Sequence, residues 1–339
     1  MYNQQTFSYT GLFATAIRWV IGWTYFSAFW RRLILDNKLI PNEAGYIGEK
    51  FNHFLPNALG IKPLIEYLVL NPDALLWSMW AFTIIEAIVG LFMILGLFTR
   101  LASIGVFFLA MGILLGSGWI GTTCLDEWQI GVLGIASGFS VFFMGGGKFS
   151  LDEYLMRKGV PFTGKKWFAN IGSGPLNIAE KTLPKVVLVG SLFIFGLTLY
   201  TNQFFHGGVY GTLHNKSVRP HLELIEPKIE NNQLNFRIYR TQGADVYGSF
   251  LIGIRLLDKN GNEVIAWDQN DLANLDLAQI NNDYVAKIKP GKHSLIIPLG
   301  AKALMTFDLK ELNLDKNHAY QLELLDISGL KWTAEVENL

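Results

Sequence analysis

The 339-residue chain has one cysteine, Cys124, and only 17% charged residues. A single cysteine excludes internal disulfides, CxxC redox pairs and cysteine-rich metal or iron–sulfur centres. No CxxCH haem-attachment motif and no HExxH occurs either. If electrons pass through this chain, their carrier is a bound small molecule or a substrate. Charged residues make up about a quarter of an ordinary soluble domain. Here they are scarce, half the chain is hydrophobic, and the mean hydropathy is +0.27. That balance points to a membrane protein, and nothing in it points to nucleic acid.

The average conceals two halves. Residues 1–203 carry 14 basic and 11 acidic side chains and hold every long apolar run, whereas 204–339 carry 14 and 17. Five runs read as membrane spans: Leu12–Trp30, Ala74–Leu97, Leu101–Gly118, Ile130–Met144 and Val186–Phe205. The first is no cleavable signal, because its polar flank is uncharged and WRRLIL stands where a small-residue cleavage site belongs. Lys148, Arg157, Lys158, Lys165, Lys166, Lys181 and Lys185 crowd the segment between spans four and five. The positive-inside rule places them in the cytoplasm. The N-terminus is then cytoplasmic, and 31–73, 119–129 and 206–339 lie outside the inner membrane. Gly112 and Gly116 in span three, and Gly134 and Gly138 in span four, are small residues four apart. Such spacing lets helices approach closely in lipid. The expectation is a four-helix bundle with the fifth span as an anchor.

After residue 206 the pattern alternates. HLELIE, QLNFRIYR, YGSFLIGIRLL, NEVIAW, DYVAKI, HSLIIPL, ALMTFDL, YQLELLD and LKWTAEV read as strands, with turns at 258–261 and 326–329. DQNDLANLDLAQINN reads as a short helix or a loop. Seven to nine such strands predict an antiparallel β-sandwich of immunoglobulin type. The expected division is therefore a transmembrane domain over 1–160, a cytoplasmic linker and fifth helix over 161–205, and an extracytoplasmic β domain over 206–339.

Glu86 is the anomaly of the second span. A charge at the centre of a membrane helix costs at least ~2.5–3.5 kcal/mol and marks a functional site or a buried pair. Arg18 in the first span lies at a similar expected depth, so the two are expected to pair. Cationic donors gather at the outer ends of the spans: Arg31, Arg32, Lys50, His53 and Lys62, then His206, His214, Lys216, Arg219 and His221. Three of the six histidines fall within 206–221. Arginine forks suit oxyanions and histidine titrates near neutrality, although cations at span ends also serve as interfacial anchors. No HxH or helix-pitch spacing among the histidines suggests a metal. Cys124, in GWIGTTCLDEWQ, is either a nucleophile or a small buried hydrophobe, and neighbouring acids oppose a reactive thiolate. Trp19 and Trp23, one turn apart, are expected on the Arg18 side of span one, where an aromatic cleft could form.

Arg18, then EAIVGLFMILGLFTR from Glu86 to Arg100, then GGGKFSLDEYL at 145–155, resemble the DoxX/DoxD membrane family. The loop sequence EKFNHFLPNALGIKPLIEYLVLNPDALLW is similar to its DoxD branch. HGGVYGTLHNKSVRPHLELIE and the chain onward to the C-terminus resemble DoxA. The resemblance implies a DoxD–DoxA fusion and the activity of a thiosulfate:quinone oxidoreductase, which oxidises two thiosulfates to tetrathionate and passes two electrons to a membrane quinone. Glu86 and Arg18 would then serve proton uptake or quinone orientation, or would only fix helix register. Cys124 would hold a thiosulfate-derived persulfide, the outer cations would gather thiosulfate, and Trp19 and Trp23 would face the quinone. A quinone enzyme acting on another sulfur species, a partner-binding membrane scaffold and a homo-oligomer stay open at this point.

Overall fold

The computed structural model describes residues 10–121, 126–174, 176, 178–244, 249–309 and 318–338. Cys124 lies outside these residues. The chain forms two compact units. One takes residues up to Ile47, then Leu76–Gly118, and then the chain through His214. The other takes Gly48–Leu75, 119–121 and the chain from Asn215 onward.

The helical elements run in order: α1 (Thr15–Phe29), a π-helical turn at Trp30–Leu35, α2 (Glu49–Phe54), α3 (Lys62–Leu70), α4 (Pro72–Leu95), α5 (Thr99–Ser117), α6 (Asp126–Met144), α7 (Leu151–Arg157), α8 (Lys166–Ile171) and α9 (Leu183–His206). Among the described residues, four helical segments are long and apolar enough to cross a membrane: Pro72–Leu95, Thr99–Ser117, Glu127–Met144 and Leu183–His206. They correspond to expected spans two to five. The expected first span is helical throughout but broken into pieces, a helical turn at 10–13, the 15-residue α1 and the six-residue π turn.

Glycine sets the closest helix approaches in the first unit. A Cβ on Gly22 would stand 2.9 Å from the Gly90 carbonyl, and one on Gly90 would stand 2.5 Å from the Phe26 nitrogen. The backbones of α1 and α4 therefore touch there. Along α6, Gly131, Gly134 and Gly138 face Leu114, Ala110 and Ser103 of α5. The small-residue pattern read in span four thus packs against span three. Gly112 faces open space instead. α9 leans on α6, with Gly190 against Phe139 and the Trp128 indole donating to Thr201 Oγ1 at 3.0 Å.

The second unit is an all-β, barrel-like sheet with α2 and α3 packed into it. Its strands are β1 (His221–Glu230), β2 (Gln233–Gln242), β3 (Ser249–Asp258), β4 (Glu263–Trp267), β5 (Ile280–Asn282), β6 (Lys289–Pro290), β7 (Leu295–Ile297), β8 (Lys302–Asp308), β9 (Tyr320–Asp326) and β10 (Lys331–Asn338), with α10 (Gln269–Ala273) after β4. Asn231 and Asn232 both take positive φ and make the tight β1–β2 turn. Pairing runs β5-β8-β2-β1-β10-β9-β3-β7-β6, with β4 added on β3. The immunoglobulin-type sandwich suggested by strand count takes the form here of one continuous path, and β1 and β10 pair in parallel within it.

DYVAKI, read as a strand, is the connector between the two ends of that path. The Asn282 side chain bridges them, donating to the Ile288 carbonyl at 3.1 Å and accepting from the Ile288 N–H at 2.7 Å. An amide side chain mimics a backbone peptide and so satisfies groups that a ladder would otherwise hold. The alternation in β2 and β8 points Leu234, Phe236, Ile238, Ala303, Met305 and Phe307 into one fully buried core. DQNDLANLDLAQINN divides into α10, a 3₁₀ turn and β5.

Candidate functional site

Glu86 lies in the middle of α4 and is 3% exposed. Its partner is Arg32, not Arg18: Arg32 Nη1 donates to Glu86 Oε2 at 2.7 Å and to Thr83 Oγ1 at 3.0 Å. The Arg32 guanidinium also lies over the Phe82 ring, 5.9 Å from its centre. Thr83 is fully buried. A carboxylate thus acquires a charge-assisted hydrogen bond inside a helical unit, and the π turn carries the arginine that supplies it.

The expected Arg18 pairing fails on depth, not on face. Arg18, Tyr25 and Arg32 recur at seven-residue intervals along one side of the helix, so each points inward. The Gly22–Gly90 contact fixes α1 against α4 such that Arg18 meets Gly96 and Arg32 meets Glu86. Span ends taken from hydropathy placed the two helices too far along each other. Tyr25 is 2% exposed, its hydroxyl has no hydrogen-bond partner among the described residues, and it lies within electrostatic range of Glu86.

Arg18 belongs to a second cluster, just past the C-terminal end of α4 and ten residues on from Glu86. It is fully buried and donates through Nη2 to the Phe149 carbonyl at 2.5 Å. Its Nη1 rests on Gly96, whose φ of +65° and lack of a side chain leave room for the guanidinium. Nearby, the buried Asp152 carboxylate accepts from the Phe98 and Thr99 amides at 2.8 and 2.9 Å, from Thr99 Oγ1 at 2.8 Å and from Ser173 Oγ at 2.9 Å. It therefore caps the N-terminus of α5. Arg100, also fully buried, donates to the carbonyls of Phe142, Ala169 and Gly174. The GLFTR and GGGKFSLDEYL segments are thus a structural knot: one turn, one cap and one clamp.

The remaining predicted residues divide by exposure. Trp19 and Trp23 are 50% and 57% exposed, opposite the buried stripe of Arg18 and Gly22, so they face outward and not onto the Arg18 side. Arg31 is exposed and donates to the Ser27 carbonyl at 3.3 Å. His206 is buried, with Nε2 2.9 Å from the Gly118 carbonyl; because a carbonyl only accepts, Nε2 carries the proton. His214 is exposed, and its amide donates to the His206 carbonyl at 3.0 Å. In the second unit His53 is buried within α2, while Arg219 and His221 are exposed. Among the described residues, no three His, Cys, Asp or Glu side chains gather as metal ligands.

One feature escaped the sequence. α5 and α6 leave an apolar groove of about 280 Å³ lined by Phe107, Phe108, Phe139, Phe142 and Phe143 together with Ser103, Ile104 and Gly138. Gly105, outside the groove lining and on another side of α5, lies against Val89 of α4, three residues from Glu86. The sequence reading singled out none of these phenylalanines, because they belong to two separate spans and only the α5–α6 pairing makes them a wall.

A helical unit with four span-capable helices and a buried ion pair, joined to an all-β unit, defines a two-part membrane protein. Residues 13–179 match the family described as TQO small subunit DoxD, and residues 205–335 match the one described as TQO small subunit DoxA. The chain belongs to these families in tandem, as a DoxD–DoxA fusion, and is thereby related to the thiosulfate:quinone oxidoreductases.

Proposed function

We propose that the protein is a membrane thiosulfate dehydrogenase that uses quinone as electron acceptor. Two thiosulfates, one quinone and two protons give one tetrathionate and one quinol, which balances atoms, electrons and charge. The observation that carries this reading is the tandem match to both small-subunit families on one chain.

The residue roles are assigned from chemistry. Glu86 hands a proton to the reduced acceptor, and Arg32 holds its carboxylate in place. Arg18 acts by positioning the far end of α1 rather than by touching Glu86. Thiosulfate, a dianion, needs cationic donors, and Arg31, His214, Arg219 and His221 offer exposed ones; His53 and His206 are buried and order their surroundings. Cys124 is the candidate to carry a sulfur adduct. The quinone ring, flat and apolar, suits the phenylalanine groove of α5 and α6, and the outward-facing Trp19 and Trp23 of α1 offer a second aromatic surface.

The protein sits in the inner membrane with its N-terminus in the cytoplasm and its β unit outside. Supporting this, the second unit draws on part of each of the three stretches that charge assigns to the outer side, 31–73, 119–129 and 206–339, taking 48–75, 119–121 and 215 onward. The working division is membrane domain 1–160, linker and fifth helix 161–205, and outer β domain 206–339. The test is purified protein with an oxidised soluble quinone and thiosulfate, sulfite or sulfide in separate reactions. Tetrathionate and quinol in equal amounts from thiosulfate alone bear the proposal out. Quinol from sulfite or sulfide only transfers the reaction to another sulfur donor, and no product from any donor removes it.

A further inference from the structure

α3 is apolar on two faces, and only one of them is covered. Ile65, Leu68 and Val69 are buried, Ile65 and Val69 against Leu55, Tyr239 and Tyr284. The opposite side shows Leu64 at 59%, Tyr67 at 57% and Leu70 at 51% exposure. These three recur every third residue and form one outward stripe. A soluble helix whose core face is satisfied normally carries polar residues there.

The adjoining helix identifies the occupant. A single residue, Asn71, separates α3 from α4, which is span-capable from Pro72. Asn71 forms a tight corner: its side chain donates to the Tyr67 carbonyl at 2.7 Å, its amide to the Leu68 carbonyl at 3.1 Å, and its carbonyl accepts from Leu75 at 3.0 Å. α3 and the first turn of α4 are therefore held as one corner. α4, with 24 residues, is ~36 Å long against a hydrocarbon core of ~30 Å, so its first turn stands in the headgroup layer. Trp77, five residues into α4 and 74% exposed, is the side chain that favours that layer.

We infer that α3 is an interfacial helix whose Leu64–Tyr67–Leu70 stripe rests in the outer headgroup region of the bilayer that α4 crosses. Its other face is held in the core of the second unit, so the helix is a lipid-seated foot for the β sheet. Apolar area buried ~5–10 Å into the headgroup boundary is how such helices bind. The inference concerns lipid contact and does not depend on the oxidoreductase reading.

The test is nitroxide labelling of the full chain in phosphatidylcholine–phosphatidylglycerol vesicles. Single cysteines are placed by Leu64→Cys, Tyr67→Cys or Leu70→Cys in a Cys124→Ser background. Ile327→Cys, at a surface turn where Ile327 is 65% exposed, is the aqueous control. Expected are labels at 64, 67 and 70 that collide more with oxygen, which concentrates in lipid, than with a water-soluble nickel chelate, and the reverse at 327. Labels at all three sites that behave like the one at 327 overturn the inference. So do labels immobilised and shielded from both reagents, because a protein surface then covers the stripe. Three independent single sites keep the experiment decisive if any one variant fails to fold.

Discussion

At the scale of the residue, Glu86 and Arg32 form a pair whose value depends on both members. Removing one partner of a buried ion pair leaves a desolvated charge and costs ~3–5 kcal/mol, whereas replacing both with apolar groups is often neutral. Arg32→Leu is therefore expected to lower unfolding stability in detergent by about 3 kcal/mol, with the Glu86→Leu/Arg32→Leu double variant recovering most of it. Thermal or denaturant midpoints for the four members of the cycle measure the coupling. Strictly additive losses would show that the two side chains do not stabilise each other. That Glu86 needed a buried cation was legible in its apolar run. Which arginine supplies it was not. Arg18 and Arg32 are fourteen residues apart on one helix face, and only the Gly22–Gly90 contact sets their depth.

Element-scale packing shows the same divide between pattern and placement. Gly112 and Gly134 look alike in the sequence, each a small residue with another four positions on. A Cβ at Gly134 would stand 2.7 Å from that of Ala110 and 3.2 Å from the Tyr25 hydroxyl, while one at Gly112 would meet nothing. Gly134→Ala is thus an overpacking change, expected to cost ~1–3 kcal/mol. Gly112→Ala adds helix propensity in open space and is expected to be neutral or to stabilise by up to ~1 kcal/mol. Comparing the two melting temperatures checks both, and equal shifts would refute the α5–α6 register. Strand content was readable from alternation because each strand has one buried face. DYVAKI alternates equally well, yet it spans the gap between β5 and β6. Its groups are held by side chains, Asn282 at Ile288 and Asn52 at Ala286, which no periodicity reports.

For the whole molecule, the family boundary and the fold boundary do not coincide. The DoxD match covers 13–179, yet its segment 48–75 folds into the unit that contains the DoxA match from Asn215 onward. The bonds responsible are specific and long in sequence. Fully buried Asn52 donates to the Gly300 carbonyl at 3.1 Å and accepts from the Ala286 amide at 3.0 Å. Asn57 donates to the Thr241 carbonyl at 2.9 Å and accepts from Lys216 at 3.1 Å. Tyr284 donates to Glu66 at 2.9 Å. Burial and this acceptor push the Tyr284 phenol above its ordinary range, which keeps the proton on the donor side of the bond. Ser217 and Asn215 both donate to the Gly121 carbonyl, at 2.6 Å each. The β sheet is thus completed by loops that the membrane half supplies, a dependence that composition could not disclose because the bonds that make it join residues far apart in sequence. Asn52 is the sharpest test of it. Asn52→Ala strands a buried amide N–H and a buried carbonyl, each costing ~1–3 kcal/mol, whereas a surface asparagine would lose almost nothing. The full-length variant is expected to melt its β signal several degrees below wild type, with faster amide exchange at Ala286. An unchanged melt and unchanged exchange would mean that 48–75 only lies on the sheet without helping to hold it together.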